Sequence, residues 1–388
     1  MRSTVYFSDL RATTKESFTA KIGRLVDTAG LGDCVKERDL AAVKLHFGEL
    51  GNTAFIRPVF LGKIVEHIRK TGALPFLTDA NTLYAGTRSN APAHLTTALR
   101  NGFAYPVVDA PLIIADGLRG KSEVAVEIGQ KRFDTVYVAS EIAAADALIS
   151  VAHFKGHELS GFGGTIKNLG MGCASRKGKL AQHSSVSPQV QEKKCVGCGD
   201  CVAHCSQSAL ALVERAPAAA AGKAAPAKAC GRKRKKAVID VERCIGCGEC
   251  ILICPNGAID IAWNQSIPIF LENMVEYTLG VLHGKAQKSL FLNFITDVSP
   301  ACDCYAHNDA PIVRNIGVLA ARDPVAIDQA AVDLVNSEPA LAECSLKKNR
   351  AAGADKFLGL YPQVDWKIQL EYAQKLGLGR REYRIEKI

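Results

Sequence analysis

Over the N-terminal half of the chain, short apolar runs alternate with amphipathic stretches. AAVKLHFG (41–48), PFLTDAN (75–81), YPVVDAPLIIAD (105–116) and DALISVAHF (146–154) have the length and continuity of buried strands, and each ends in polar residues. FLGKIVEHIRKTG (60–72) spaces its apolar positions three and four apart and stops at Gly72, which predicts a helix. Further on, SLFLNFITDV (289–298) and NIGVLAA (315–321) again predict strands. DPVAIDQAAVDLVN (323–336) predicts a helix with Asp323 as N-cap and Pro324 in its first turn. Alternating strands and helices imply a layered α/β fold. In such a fold, ligands bind beyond the carboxyl ends of the strands, where the polar residues gather here.

The pattern breaks in the middle. Cys195, Cys198, Cys201 and Cys205 follow a CxxCxxCxxxC spacing that recurs at Cys244, Cys247, Cys250 and Cys254. The flanks repeat as well: KKCVGCGDCVAHCSQSALAL matches ERCIGCGECILICPNGAIDI, so each half reads as a loop, a short helix and a strand of one duplicated unit. Three thiolates on one glycine-containing loop can hold three corners of a cubane, while the fourth reaches the other cluster. This assigns Cys195, Cys198, Cys201 and Cys254 to one [4Fe-4S] cluster, and Cys244, Cys247, Cys250 and Cys205 to a second. Zinc ribbons separate CxxC pairs by longer loops, and disulfides do not suit a chain that reads as cytoplasmic and shows no leader pattern. Ser206 stands where the second run has Pro255, so the turn after Cys205 is expected to be looser. The expected organisation is an α/β domain (1–188 and 263–388) interrupted by an α+β ferredoxin-like insertion at 189–262.

With 388 residues, 48% of them hydrophobic, the chain can bury a large core, and no stretch is long and apolar enough to span a membrane. Eight of its nine net positive charges fall between Arg215 and Lys236, in an Ala-, Pro- and Lys-rich segment without apolar periodicity. Segment 215–236 therefore reads as a mobile, solvated loop inside the insertion. It does not mark the whole protein as a nucleic-acid binder, and an acidic redox partner is the complementary expectation.

Two further segments carry chemistry. HFKGHELSGFGGTIKNLGMGCASRKGKLAQH, running from His153 to His183, places His153, His157, Lys167, Cys173 and His183 around a glycine-rich turn at Gly161, Gly163 and Gly164. Such a turn can present backbone N–H groups to an anionic ligand, with Lys167 beside it. The second segment is CDC, Cys302 and Cys304, with His307 close behind. On an extended segment the two thiols would face the same side. With Cys173, His153 or His307 they would form a soft-ligand site for Zn, Fe or Ni. The competing reading is a vicinal redox pair or small buried residues. Cys34, Cys230 and Cys344 have no partner pattern.

Together with KLHFGELGN (44–52), LTDANTLYAGTR (77–88), ACDCYAH (301–307) and DPVAIDQAAVDLV (323–335), the 153–183 segment resembles the bacterial and archaeal "domain of unknown function 362" family. Members of that family with an inserted ferredoxin are described as iron-sulfur proteins, and no reaction is implied. A shorter stretch is similar to the nickel-pincer lactate racemase family: a His, a GFxGG turn, a Lys ten residues after the His and a second His sixteen further on. Here these are His157, Gly161 to Gly164, Lys167 and His183. That similarity implies a proton-transferring His157, a cofactor-bearing Lys167 and a metal-binding His183 converging on one cleft. The family's other active-site motifs have no clear counterpart in this chain.

The leading expectation is an iron-sulfur redox protein passing electrons between a partner and a site in the α/β domain. A non-redox, racemase-like metal enzyme with structural clusters is the alternative, and an electron-carrier subunit without chemistry of its own is another.

Overall fold

The apolar runs pair into one eight-stranded sheet. Its order from edge to edge is Tyr383–Lys387, Ser3–Asp9, Gly317–Ala321, Ser289–Ile295, Ala147–His153, Leu40–Lys44, Leu74–Asp79 and Leu112–Ile114. Gly317–Ala321 runs against the strands on both sides of it, and every other adjacent pair is parallel. The computed structural model describes residues 2–183, 188–205, 207–215, 234–244, 248–260 and 266–388. It divides into two units. Met1–Thr82, Gly86–Gly178 and Ser266–Ile388 form the first, and Leu83–Ala85 with Lys179–Gln265 form the second.

The central strands are buried on both faces because successive side chains point to opposite sides and each side is covered. Ala147, Ile149 and Val151 pack with Leu290, Leu292 and Phe294 against Leu61, Ile64, Val65 and Ile68 of the helix Pro58–Lys70. Leu148 and Phe291 enter the opposite layer with Ile166, Leu169, Met274, Val275 and Val325. The helix that opens at Pro324 starts as its sequence predicts, with Asp323 accepting hydrogen bonds from the N–H groups of Val325 and Ala326 at 2.9 Å each.

One predicted strand differs. The run 105–116 begins as a helical turn, Tyr105–Val108, and becomes strand only at Leu112–Ile114. Pro106 fixes a helical φ and has no N–H for a ladder, so the apolar side chains before Asp109 belong to a turn rather than a strand.

In the second unit, Gln189–Val190 pairs antiparallel with Ile259–Asp260, and Leu210–Arg215 pairs antiparallel with Arg234–Ile239. Each cysteine run has a short helix, Asp200–Ala203 and Glu249–Ile253, entered through Gly199 and Gly248 in left-handed conformation. Leu210, Ala237, Ile251, Ala258 and Ile259 form its core with Cys195 and Cys201. The expected 215–236 loop is shorter at both ends, because Arg215 pairs with Arg234, Glu214 with Lys235 and Val213 with Lys236. Lys236 donates to the carbonyls of Glu192, at 2.7 Å, and Cys195. The last residues of the basic run are thus tied to the first cysteine loop. The rest of the run, 216–233, lies outside the described residues, as do Ser206 and Cys247.

Candidate functional site

In the second unit, Cys195, Cys198, Cys201 and Cys254 line a single cavity, walled by Val196, Leu212, Ala237 and Ile259. Burial first, and then the neighbouring Cys195, Cys198 and Cys254, push the Cys201 thiol up from its ordinary range. Such crowding is relieved when the thiols bind metal as thiolates. Backbone N–H groups already point at the sulfurs: Ala237 donates to Cys195 Sγ at 3.5 Å and Ala258 to Cys254 Sγ at 3.2 Å. In the other run, Ala209 donates to Cys205 Sγ at 3.2 Å, the same four-residue step as from Cys254 to Ala258.

Among the described residues no three His, Cys, Asp or Glu side chains converge on a point that suits one metal ion. A cubane makes no such demand, because each thiolate binds a different iron at its own corner. The donor set therefore fits a cluster.

In the first unit, polar side chains collect where the parallel strands end. Lys44, Asp79 and His153 are the last residues of three of them. Lys44 is buried, and its Nζ contacts Asp79 Oδ1 at 3.0 Å, Asn168 Oδ1 at 3.0 Å and the Leu45 carbonyl at 2.9 Å. Asp79 also meets Arg88 at 3.3 Å, and Arg88 reaches Glu49 at 3.0 Å. After the strand Ser289–Ile295 the chain reaches the CDC segment. Asp303 there is buried between His153 Nδ1 at 2.9 Å and Lys155 Nζ at 2.9 Å. Burial opposes its ionisation, but His153 and then Lys155 hold the Asp303 carboxyl well below the usual carboxylate range.

This ion pair anchors a turn closed by the Tyr305 N–H on the Cys302 carbonyl at 3.2 Å. The CDC segment is therefore not extended, as alternation alone had implied. The turn still brings the two sulfurs together, with Cys302 Sγ donating to Cys304 Sγ at 3.1 Å. Lys167 Nζ donates to Cys302 Sγ at 3.6 Å, and His46 Nε2 lies 3.4 Å from Cys304 Sγ. The hydrogen bond between the two sulfurs, reinforced by burial, holds Cys302 as a thiol well above the ordinary range. The same bond, with His46 and Lys167, keeps Cys304 well below it. Burial works against the charge on Lys167, but Cys302, Cys304 and Glu158 outweigh it and hold the ammonium above the ordinary lysine range.

The glycine-rich turn positions this lysine. Lys155–His157 pairs with Gly161–Gly163 as a hairpin, turned by Gly161 at φ 77°. The helix Thr165–Gly170, which carries Lys167, has its first N–H groups capped from a distance: Asp328 accepts from Thr165 at 2.7 Å and Ile166 at 2.9 Å, and from Asn293 Nδ2 at 2.7 Å. A Cβ on Gly164 would strike the Asp328 carboxylate. Burial pushes the Asp328 carboxyl up to about 6 against those three donors. Asp328→Ala is expected to orphan two buried N–H groups. It should cost about 2 kcal/mol in urea unfolding and loosen Lys167 without touching the thiols. An unchanged midpoint would show that the cap is dispensable.

Of the residues singled out from sequence, the structure brings Lys167, Cys302 and Cys304 together and places His153 directly behind them. His157 accepts at Nδ1 from the Leu159 and Ser160 N–H groups at 3.2 Å each, and its Nε2 faces Glu158 at 3.9 Å. Cys173 is buried in the apolar layer, His307 is exposed beside Tyr305, and His183 belongs to the second unit. Sequence reasoning assigned no role to His46, Lys44, Asp79, Asp303, Glu158 or Asp328, although all six stand inside the phrases that carried the family resemblance.

The model of the family described as "Domain of unknown function (DUF362)" matches residues 41–333. Among solved structures, the lactate racemase apoprotein from Thermoanaerobacterium thermosaccharolyticum is similar at 14% identity, with a TM-score of 0.32 over 48% of this chain and 42% of that one. The match thus spans less than half of the racemase. No curated protein matches the chain.

Proposed function

The chain belongs to the DUF362 family, and we propose that it is an iron-sulfur redox protein in which a two-cluster unit exchanges electrons with a partner protein and serves the thiol site of the α/β unit. The observation that carries this reading is the cavity shared by Cys195, Cys198, Cys201 and Cys254, two of whose cysteines lie at opposite ends of a duplicated sequence. Cys205, Cys244, Cys247 and Cys250 make the equivalent second set. When bound, two [4Fe-4S] clusters supply two one-electron carriers.

The chain's own residues prepare the first site in three ways. Cys195 and Cys201 are buried, which keeps water from the sulfurs, while Cys198 is exposed and marks the face where a partner would exchange electrons. The N–H groups of Ala237 and Ala258 aim at sulfur and stabilise its negative charge, a lever on reduction potential. Gly197, at φ 73°, lets the cysteine loop pass under the strand Arg234–Ile239, where a side chain would collide with the Lys235 carbonyl.

In the α/β unit, His46 and Lys167 surround a thiol pair, and no helix among the described residues is long and apolar enough to cross a bilayer. Anaerobically purified protein is expected to contain about eight irons and eight acid-labile sulfides per chain. Zinc in their place, or iron near four in the unaltered chain, would overturn the two-cluster reading.

A further inference from the structure

We propose that Cys302 and Cys304 are a reversible dithiol-disulfide couple that reduces disulfide substrates, with Cys304 attacking and Cys302 resolving. Three observations carry it. The sulfurs are 3.1 Å apart, so closing a bond of about 2.05 Å needs a movement of only about 1 Å. Two thiolates on one tetrahedral zinc, at about 2.3 Å from the metal, would stand about 3.8 Å apart, so the spacing favours a redox pair over shared ligation.

The two cysteines also differ in access. Cys302 is buried and Cys304 is half-buried, which puts the attacking sulfur outside and the resolving sulfur behind it. Finally, the polar groups are placed for thiolate chemistry: His46 Nε2 lies 3.4 Å from Cys304 Sγ and Lys167 Nζ lies 3.6 Å from Cys302 Sγ. The turn holding both is fixed by the Asp303 contacts with His153 Nδ1 and Lys155 Nζ, at 2.9 Å each.

The exchange balances without any other reactant. The Cys304 thiolate attacks one sulfur of the substrate disulfide, forming a mixed disulfide and releasing one thiolate. Cys302 then gives up its proton, its sulfur bonds to Cys304 Sγ, and the second substrate sulfur leaves carrying that proton. One substrate disulfide becomes one thiol and one thiolate, which takes its proton from solvent, and the protein retains a Cys302–Cys304 disulfide. Reopening it to the Cys302 thiol and the Cys304 thiolate takes two electrons and one proton. A one-electron contribution from each of two clusters would match that demand; this return step rests on the proposed function, whereas the exchange does not.

The test uses the full-length chain, assayed for iron, then exposed anaerobically to oxidised glutathione or to insulin as a protein disulfide, alkylated and mapped by peptide mass. The unaltered chain is expected to give an internal Cys302–Cys304 disulfide. Cys302→Ser should accumulate a mixed disulfide on Cys304 at least tenfold faster than Cys304→Ser accumulates one on Cys302. Lys167→Met should slow adduct formation several-fold, and Lys167→Arg should restore it. Buried Cys34 and Cys173 must stay protected from alkylation, which certifies that each variant is folded. An adduct with either probe supports the couple whatever the iron content. Equal rates in the two serine variants, or no internal disulfide with either probe, would overturn it.

Discussion

Cys254→Ser is expected to remove the cluster of the Cys195 loop and to leave the cluster of its own sequence neighbours in place. Iron should fall from about eight to about four per chain. The paired-cluster signal of the reduced protein should give way to that of one isolated cluster in electron paramagnetic resonance. The reason is geometric. Cys254 lines the same cavity as Cys195, Cys198 and Cys201, and it is one of the groups that raise the Cys201 thiol. Serine retains the Ala258 N–H contact made now at 3.2 Å but offers iron a poorer, harder ligand. If the remaining four irons instead sit on Cys195, Cys198 and Cys201, ligation is not crossed and the assignment of both fourth cysteines is wrong. The chain with Cys254 intact but without 216–233 should keep its full iron content, whereas removing Lys236 as well takes away its donor to the Cys195 carbonyl.

The contrast between what the sequence discloses and what it hides follows the range of the interactions. The strands Leu40–Lys44, Leu74–Asp79, Ala147–His153, Ser289–Ile295 and Gly317–Ala321 are legible because they are buried on both faces and read as unbroken apolar runs. The edge strand Tyr383–Lys387, YRIEK, is not, since it carries charges and has one neighbour, Ser3–Asp9. The thiol site divides in the same way. Cys302 and Cys304 are visible as a local pair, and Lys167 as the cation beside the glycine-rich turn. His46, however, reaches Cys304 across 258 positions, and Asp303 was passed over as the residue between two cysteines. Asp328 caps the Lys167 helix from 163 residues away, while its own sequence shows only the apolar spacing of a helix. No periodicity reports a contact of that length. His183 shows the converse: its spacing from Lys167 is suggestive, yet it lies in the second unit.

Acidification from about pH 6.5 to 4 is expected to destabilise the α/β unit, and the cause lies in the buried network at the strand ends. Burial pushes the His94 imidazole down to about 4, against the pull of Asp79. The unfolded chain takes up that proton near pH 6.5, so between the two values it binds protons that the folded chain refuses. Stability is therefore complete above about 6.5 and falls as pH drops, by about 3 kcal/mol at pH 4 from this group. Half-buried His46, also shifted downward by desolvation first, adds in the same direction. Asp79 acts lower still. Despite its burial, Lys44 and His94 hold its carboxyl well below the usual range. Its contribution is thus present above the unfolded value near 3.9 and is lost beneath it.

At neutral pH, Asp79→Asn should leave the Lys44 ammonium with its two neutral acceptors and no adjacent carboxylate, at a cost of about 3–5 kcal/mol. The readout is a lower urea midpoint with an unchanged slope. His94→Phe keeps the edge-on packing against Phe47, whose ring centroid is 5.7 Å away, and removes the titrating group. Its stability should accordingly decline less between pH 6.5 and 4 than that of the unaltered chain. Parallel declines in the two proteins would place the acid sensitivity elsewhere and reduce His94 to a packing residue.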